Sequence, residues 1–181
     1  MRLGLLGALL AASLAWAAPA QADAIDGYLR ELGLIALSGE RPPAFSLPKV
    51  GGGKVSLADH QGKVVLVYFW ATWCPYCRKE LPVAIEKVVR GRKGQPFTVL
   101  AVSIEERRDV VAAYVKGAGV TSPVLLDGDG AVARDYRVRA TPTAFVIGRD
   151  GRLVARAAGT RAWDGRAGRA LLDALVAAPA K

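Results

Sequence analysis

Two cysteines separated by two residues, in Trp73-Cys74-Pro75-Tyr76-Cys77, are the only cysteines in a chain of 181 residues. They follow an apolar run, Val64-Val65-Leu66-Val67-Tyr68-Phe69-Trp70, and precede a stretch that reads as a helix. The run is rich in β-branched and aromatic residues, which suits a central strand buried on both faces. Placed between a strand and a helix, the two thiols can close a small disulfide and open it again. A bridge across so short a loop adds little fold stability, so the pair reads as reactive rather than structural.

The first segment points to the compartment. Arg2 supplies a positive charge, Leu3 to Trp16 is apolar with small residues, and Ala20-Gln21-Ala22 is a small-x-small cleavage site. Residues 1–22 therefore read as a secretory signal peptide cleaved after Ala22, in preference to an uncleaved membrane anchor, for which the apolar run is short. Export implies a periplasmic or other extracytoplasmic, oxidising location. The formal net charge of +9 falls to about +8 without Arg2, and the basic residues are spread without a long block. That pattern reads as a solvated, soluble surface, in preference to one biased toward acidic partners or anionic lipid headgroups. Nucleic acid is not expected as a partner.

Residues 23–40 read as a lead-in, with Tyr28, Leu29, Leu32, Ile35 and Leu37 along a short helix face that Pro42-Pro43 ends. Residues 41–181 form one domain. Short strands are expected at Ala44–Leu47 and Lys54–Leu57 around the turn Gly51-Gly52-Gly53. A helix runs from Pro75 to about Arg90, kinked at Pro82. A strand at Phe97–Ile104 is followed by a helix through Val110, Val111, Tyr114 and Val115 that stops at Gly117 to Gly119. Val124–Leu126 is a short strand, and Gly130 to Tyr136 one or two helical turns. Thr143–Ile147 and Leu153–Ala157 pair across a two-residue turn at Asp150-Gly151. Trp163 to Ala177 closes the chain as an amphipathic helix, with Leu171 and Leu175 on one face. The order implies an α/β fold, a mixed sheet flanked by helices on both faces.

At the first helical turn, Cys74 meets unpaired N–H groups that favour its thiolate. As the first cysteine it is expected to face solvent and attack, while Cys77, a turn further in, resolves the mixed disulfide. Zinc would need about four ligands, and after the signal only Cys74, Cys77 and His60 are of the usual soft kind, so no metal site is expected. His60 itself reads as a surface turn residue. Glu80 shares a helix face with Cys77. Alone, it reads as an exposed helix glutamate near Lys79 and Lys87. Trp73 reads either as a flat contact patch beside Cys74 or as a core aromatic.

Several stretches together resemble the exported thioredoxin-like reductases of the TlpA/ResA class, relatives of the cytochrome c maturation thioredoxins. They are Ala44-Phe45-Ser46-Leu47-Pro48, Val55-Ser56-Leu57-Ala58-Asp59, Gly62-Lys63-Val64-Val65-Leu66-Val67, Phe69-Trp70-Ala71-Thr72-Trp73-Cys74-Pro75, Arg78-Lys79-Glu80-Leu81-Pro82 and Ala140-Thr141-Pro142-Thr143. The resemblance covers about Arg41 to Val176. It implies a thioredoxin fold with a short N-terminal hairpin and a central strand–helix insert, a cis Thr141–Pro142 bond, a nucleophilic Cys74 and a resolving Cys77. It also implies an active-site acid at Glu80 and a substrate-contacting set of Trp73, Pro75, Tyr76, Thr141 and Pro142. The partners implied are protein thiols or disulfides and a membrane electron donor, with no cofactor beyond the Cys74–Cys77 disulfide.

The chain departs from the pattern in three places. Thioredoxin has a buried aspartate, and the related exported reductases often an asparagine, where this chain has Tyr68. Pro75-Tyr76 resembles the dipeptide of glutaredoxins and some isomerases, which leaves open an oxidant or isomerase direction. The Gly-x-x-Gly-x-Pro-Glu stretch of the cytochrome-specific relatives is replaced by Arg137-Val138-Arg139-Ala140-Thr141-Pro142-Thr143, which favours the broader class over apocytochrome c reduction. A copper(I) metallochaperone using both thiolates is the alternative from another class. A peroxidase of the peroxiredoxin type lacks its expected proline before Cys74.

Overall fold

The computed structural model describes residues 17–180. Most of the expected signal segment lies outside them. From Ala17 to Glu31 the chain is helical (α1), so the expected cleavage position after Ala22 falls inside this helix. Leu29, beyond that position, is buried. The helix does not continue to Pro42. Gly33 adopts φ 62°, Leu34 N donates to Leu29 O, and Gly33 N donates to Arg30 O. This is a glycine C-cap of the Schellman kind. Ile35 and Leu37 therefore leave the helix face. Ile35–Ala36 is a short strand, β1, in which Ile35 is 57% exposed.

Strands β2 (Ser46–Pro48) and β3 (Lys54–Ser56) form the expected hairpin. Ser56 ends it by capping a 3-10 turn at Leu57–His60. The main sheet has six strands in the order β1-β8-β7-β4-β5-β6. Here β4 is Val64–Trp70, β5 Phe97–Ile104, β6 Val124–Asp127, β7 Thr143–Ile147 and β8 Leu153–Ala158. β4 runs parallel to β5 and antiparallel to β7, so the sheet is mixed. Every residue of β4 is buried, as its unbroken apolar run requires.

Side chains of β4 alternate between two cores. Val64, Leu66, Tyr68 and Trp70 face the side packed by α1, the helix after the cysteines, α4 (Arg108–Ala118) and α6 (Arg166–Ala177). Val65, Val67 and Phe69 face the β2–β3 hairpin and α5 (Ala131–Asp135), where the rings of Phe45, Phe69, Tyr136 and Phe145 pack edge to face or, for Phe69 on Tyr136, tilted. Buried Leu171, Leu172 and Leu175 seat α6 on the sheet. That helix begins at Arg166 rather than Trp163; Trp163 is fully buried in the loop before it.

The turn between β7 and β8 is longer than two residues. Gly148 N donates to Arg152 O, enclosing Arg149, Asp150 and Gly151. Gly151 takes φ 75°, the left-handed position of a three-residue hairpin loop.

The helix expected from Pro75 is continuous to Gly91 but not regular. α2 (Pro75–Glu80) passes into a π turn at Leu81–Ile85 and then into α3 (Glu86–Gly91). Pro82 has no N–H to give the Arg78 carbonyl four residues back. Tyr114 Oη of α4 donates to that carbonyl instead, at 3.3 Å. Fully buried Glu86 ties α3 to the loop before β6, accepting from Thr121 Oγ1 and from Ser122 N and Oγ. Burial pushes its pKa up, but the hydrogen bonds from Ser122 and Thr121 outweigh this and hold the carboxyl below its usual value.

Candidate active site

The cysteines sit where central strand β4 ends and α2 begins. Cys74 and Cys77 are joined by a disulfide, with their Cα atoms 5.3 Å apart. Cys74 is the N-cap of α2 and Pro75 lies in its first turn. Cys77 N donates to Cys74 Sγ at 3.2 Å. This N–H has no partner inside the helix and points at the Cys74 sulfur, where such a donor favours a thiolate over a thiol.

Facing the disulfide is the loop before β7. The Thr141–Pro142 bond is cis. Thr141 O lies 3.5 Å from Cys74 Sγ, and Thr143 Oγ1 donates to Ala140 O at 2.7 Å to brace the loop.

Cys74 does not face solvent as expected. It is 1% exposed, as covered as Cys77, because its sulfur turns inward to Cys77 and beneath the Thr141 carbonyl. The exposed groups are its neighbours: Trp73 at 66% and Tyr76 at 65%. Trp73 is thus a surface aromatic rather than a core one. With Pro75 it makes the rim of the site.

Glu80 is not an exposed helix residue. It is 6% exposed, one turn beyond Cys77. Tyr68 Oη donates to its Oε2 at 2.9 Å, and Arg161 N donates to its Oε1 at 2.8 Å. Burial raises its pKa, opposed by these two hydrogen bonds and by the Arg161 charge. Its edge reaches a shallow surface groove lined also by Tyr76, Lys79, Thr160 and Arg161.

A second carboxylate steadies the approach to Cys74. Glu106 accepts from Thr72 N at 2.9 Å, from Thr72 Oγ1, and from Ser103 Oγ at 2.7 Å. It thereby clamps the segment before Trp73 to the end of β5. The Glu106–Thr72 and Arg161–Glu80 contacts carry no local sequence signal, because they span 34 and 81 residues.

His60 lies away from the cysteines, near the start of β4. It is half-buried rather than a plain surface residue, and it lines a cavity of about 600 Å³. Both ring nitrogens are enclosed with no hydrogen-bond partner among the described residues. Burial lowers its pKa, with Lys63 adding to the effect against Asp59. Among the described residues no three His, Cys, Asp or Glu side chains come together as a metal-binding group.

A mixed sheet with a disulfide at the head of its central helix, opposite a cis-proline loop, defines a thioredoxin-fold thiol–disulfide oxidoreductase. The chain belongs to the AhpC/TSA family, whose model matches residues 38–156. It is 36% identical over 122 residues to the thiol-disulfide oxidoreductase ResA of Bacillus subtilis, a match covering 67% of this chain and 68% of that one. It is 39% identical over 116 residues to the thioredoxin-like protein YneN of the same organism, covering 62% and 66%. The chain thus spans about two thirds of the length of these curated relatives. Among solved structures it resembles a thioredoxin-family thiol:disulfide interchange protein from Chlorobium tepidum. That match has TM-score 0.69 and 27% identity, and covers 77% of this chain and 98% of the other. The thioredoxin domain of a Bacteroides vulgatus thiol-disulfide oxidoreductase matches with TM-score 0.67 and 26% identity, over 77% and 98% of the two chains. The TlpA/ResA resemblance read from the motifs agrees with these relatives.

Proposed function

We propose that this chain is an extracytoplasmic reductase of protein disulfides, exported by its N-terminal segment and resupplied with electrons by a membrane-bound disulfide reductase. The observation that carries this reading is the Cys74–Cys77 disulfide at the head of α2 against the Thr141 carbonyl, with a buried carboxyl one turn further along. The N-terminal pattern around Arg2 and Ala20-Gln21-Ala22 supports export. Among the described residues no helix is long and apolar enough to cross a membrane.

In the reduced protein Cys74 attacks as a thiolate. Its sulfur bonds to one sulfur of the substrate disulfide, and the other substrate sulfur leaves and takes a proton. Cys77 then gives its proton to Glu80, directly or through one water, and attacks the Cys74 sulfur. The bond from Cys74 to the substrate breaks, the second substrate sulfur takes up a proton, and the Cys74–Cys77 disulfide closes. Two electrons pass to the substrate, so the pair needs no further cofactor. Trp73, Pro75, Tyr76, Thr141 and Pro142 form the surface that receives the substrate chain.

One observation favours the reverse flow. The Cys77 N–H aimed at Cys74 Sγ stabilises a thiolate, and stabilising the reduced form makes a couple more oxidising. The basic assignment is tested by turnover of insulin disulfides with dithiothreitol as electron source. The protein accelerates the reaction, and Cys74→Ser returns it to the uncatalysed rate. Equal turnover by that variant contradicts the proposal.

A further inference from the structure

We propose that Tyr68 is a positioning residue for the redox reaction: its phenol, with the Arg161 backbone N–H, holds the Glu80 carboxyl in one orientation on the cysteine-bearing face of α2. The inference rests on the reading of Glu80 as the acceptor of the Cys77 proton.

Tyr68 occupies the central strand, and its side chain belongs to the core shared with Cys74 and Cys77. Its sheet neighbours are Ala101 on β5 and Ala144 on β7. Two alanines leave room for the ring and offer its hydroxyl no polar side chain. A buried phenol needs a hydrogen-bond partner, and Glu80 Oε2 at 2.9 Å supplies it. Burial, then the Glu80 charge, push Tyr68 ionisation far above its ordinary range. The phenol therefore stays protonated and acts toward Glu80 as a fixed donor.

The other carboxylate oxygen is held independently. Arg161 N reaches Oε1 at 2.8 Å, and Arg161 Nη2 anchors that loop to Gly33 O at 3.1 Å. Both oxygens are thus fixed, from β4 and from the loop after β8. The other charged or titratable groups around the pair are Cys77 and Lys79 on the same helix, the Arg161 guanidinium, and Tyr114 of α4 behind Tyr68. An aspartate at position 68 would instead face Glu80 as a second carboxyl, and the two would compete for one proton. A phenol supplies the donor without the second charge. The departure at position 68 and the buried acid at position 80 are then two halves of one arrangement.

Burial raises the Glu80 pKa and the Tyr68 hydrogen bond lowers it. Removing the hydroxyl takes away one opposing contribution, so Glu80 titrates higher. The carboxylate accepts the proton, so the limb of activity that rises with pH moves upward too.

The test uses the full-length protein as wild type, Tyr68→Phe, Glu80→Gln and the double variant. Two quantities are read: the Glu80 carboxyl titration by carbon NMR, and the pH profile of single-turnover reduction of a model disulfide. Tyr68→Phe is expected to raise the Glu80 midpoint by about one pH unit and to move the rising limb with it. Glu80→Gln removes the limb, and Tyr68→Phe adds no further shift in that background. An unmoved Glu80 midpoint in Tyr68→Phe overturns the role of Tyr68. A moved midpoint with an unmoved limb also overturns the proposal, in that case because Glu80 is not the proton acceptor. A merely structural role for the tyrosine moves neither quantity.

Discussion

Cys77→Ser accumulates mixed disulfides with its protein substrates through Cys74, whereas Cys74→Ser accumulates none. In the wild type the mixed disulfide survives only until the second thiol attacks, and that thiol sits one helical turn away with its Cα 5.3 Å from that of Cys74. The chain has no third cysteine to take its place. A serine hydroxyl does not attack a disulfide, so the intermediate waits for an external thiol. The complementary variant leaves the inner residue as the only thiol. It lacks the helix N-cap position and the N–H that Cys77 aims at Cys74 Sγ, so it forms a thiolate less readily and makes a poor nucleophile toward a partner. The expected change is from trace capture to capture of most of the protein, read on non-reducing gels and by mass spectrometry of the linked peptides. Equal capture by both variants contradicts the assigned order of attack.

Glu80→Gln is expected to slow disulfide exchange by about 10²-fold near neutral pH, at the lower end of what a positioned acid–base group contributes. The substitution keeps the shape of the side chain. The amide can still accept the Arg161 N–H through its oxygen and can donate to the Tyr68 phenol oxygen, so both hydrogen bonds survive with one reversed. Only proton acceptance is lost. The effect on stability runs the other way. Burial raises the Glu80 pKa in the folded protein. Its contribution to stability is therefore present below the unfolded-state value and is lost as pH rises through the folded-state value. Removing the ionisable group removes that loss, so the variant melts no lower than wild type at neutral and alkaline pH. Stopped-flow kinetics and thermal melts across pH check both parts. An unchanged rate contradicts the acid–base role.

The parts legible in the sequence were those with strong local signals. The apolar run Val64–Trp70 forms the central strand, and Phe97–Ile104 its parallel neighbour, with the expected bounds. Clustered motifs around Cys74 and Thr141 carry the resemblance to the thioredoxin fold without any knowledge of contacts. The misreadings have physical causes. Gly33 carried a helix-stop signal, but the apolar spacing through Ile35 and Leu37 concealed it, because a strand edge and a helix face can share such residues. Asp150-Gly151 suggested the shortest hairpin turn, whereas Gly151 serves the longer loop equally well. Trp163 suited a helix start by its apolar character alone and instead fills the core ahead of Gly165. The cysteine pair was legible from its spacing, whereas Glu80 read alone as an exposed glutamate and entered the candidate site only through the family resemblance. The site's finer organisation joins residues distant in the chain. Tyr68 meets Glu80 across 12 positions, and Thr72 meets Glu106 across 34. Periodicity and spacing carry no information about such pairings. The burial of Cys74 was hidden for the same reason, since the Thr141 carbonyl over it is 67 residues away.

The reduction potential of the Cys74–Cys77 couple decides the direction of electron flow. The protein is equilibrated with a graded series of dithiothreitol or glutathione buffers, and the dithiol fraction is read by thiol alkylation and mass. The expected potential is close to that of thioredoxin, about −270 mV, as befits a reductase that needs a continuous electron supply in an oxidising compartment. A potential approaching about −120 mV would contradict it, making the same fold and the same sulfurs those of a thiol oxidant.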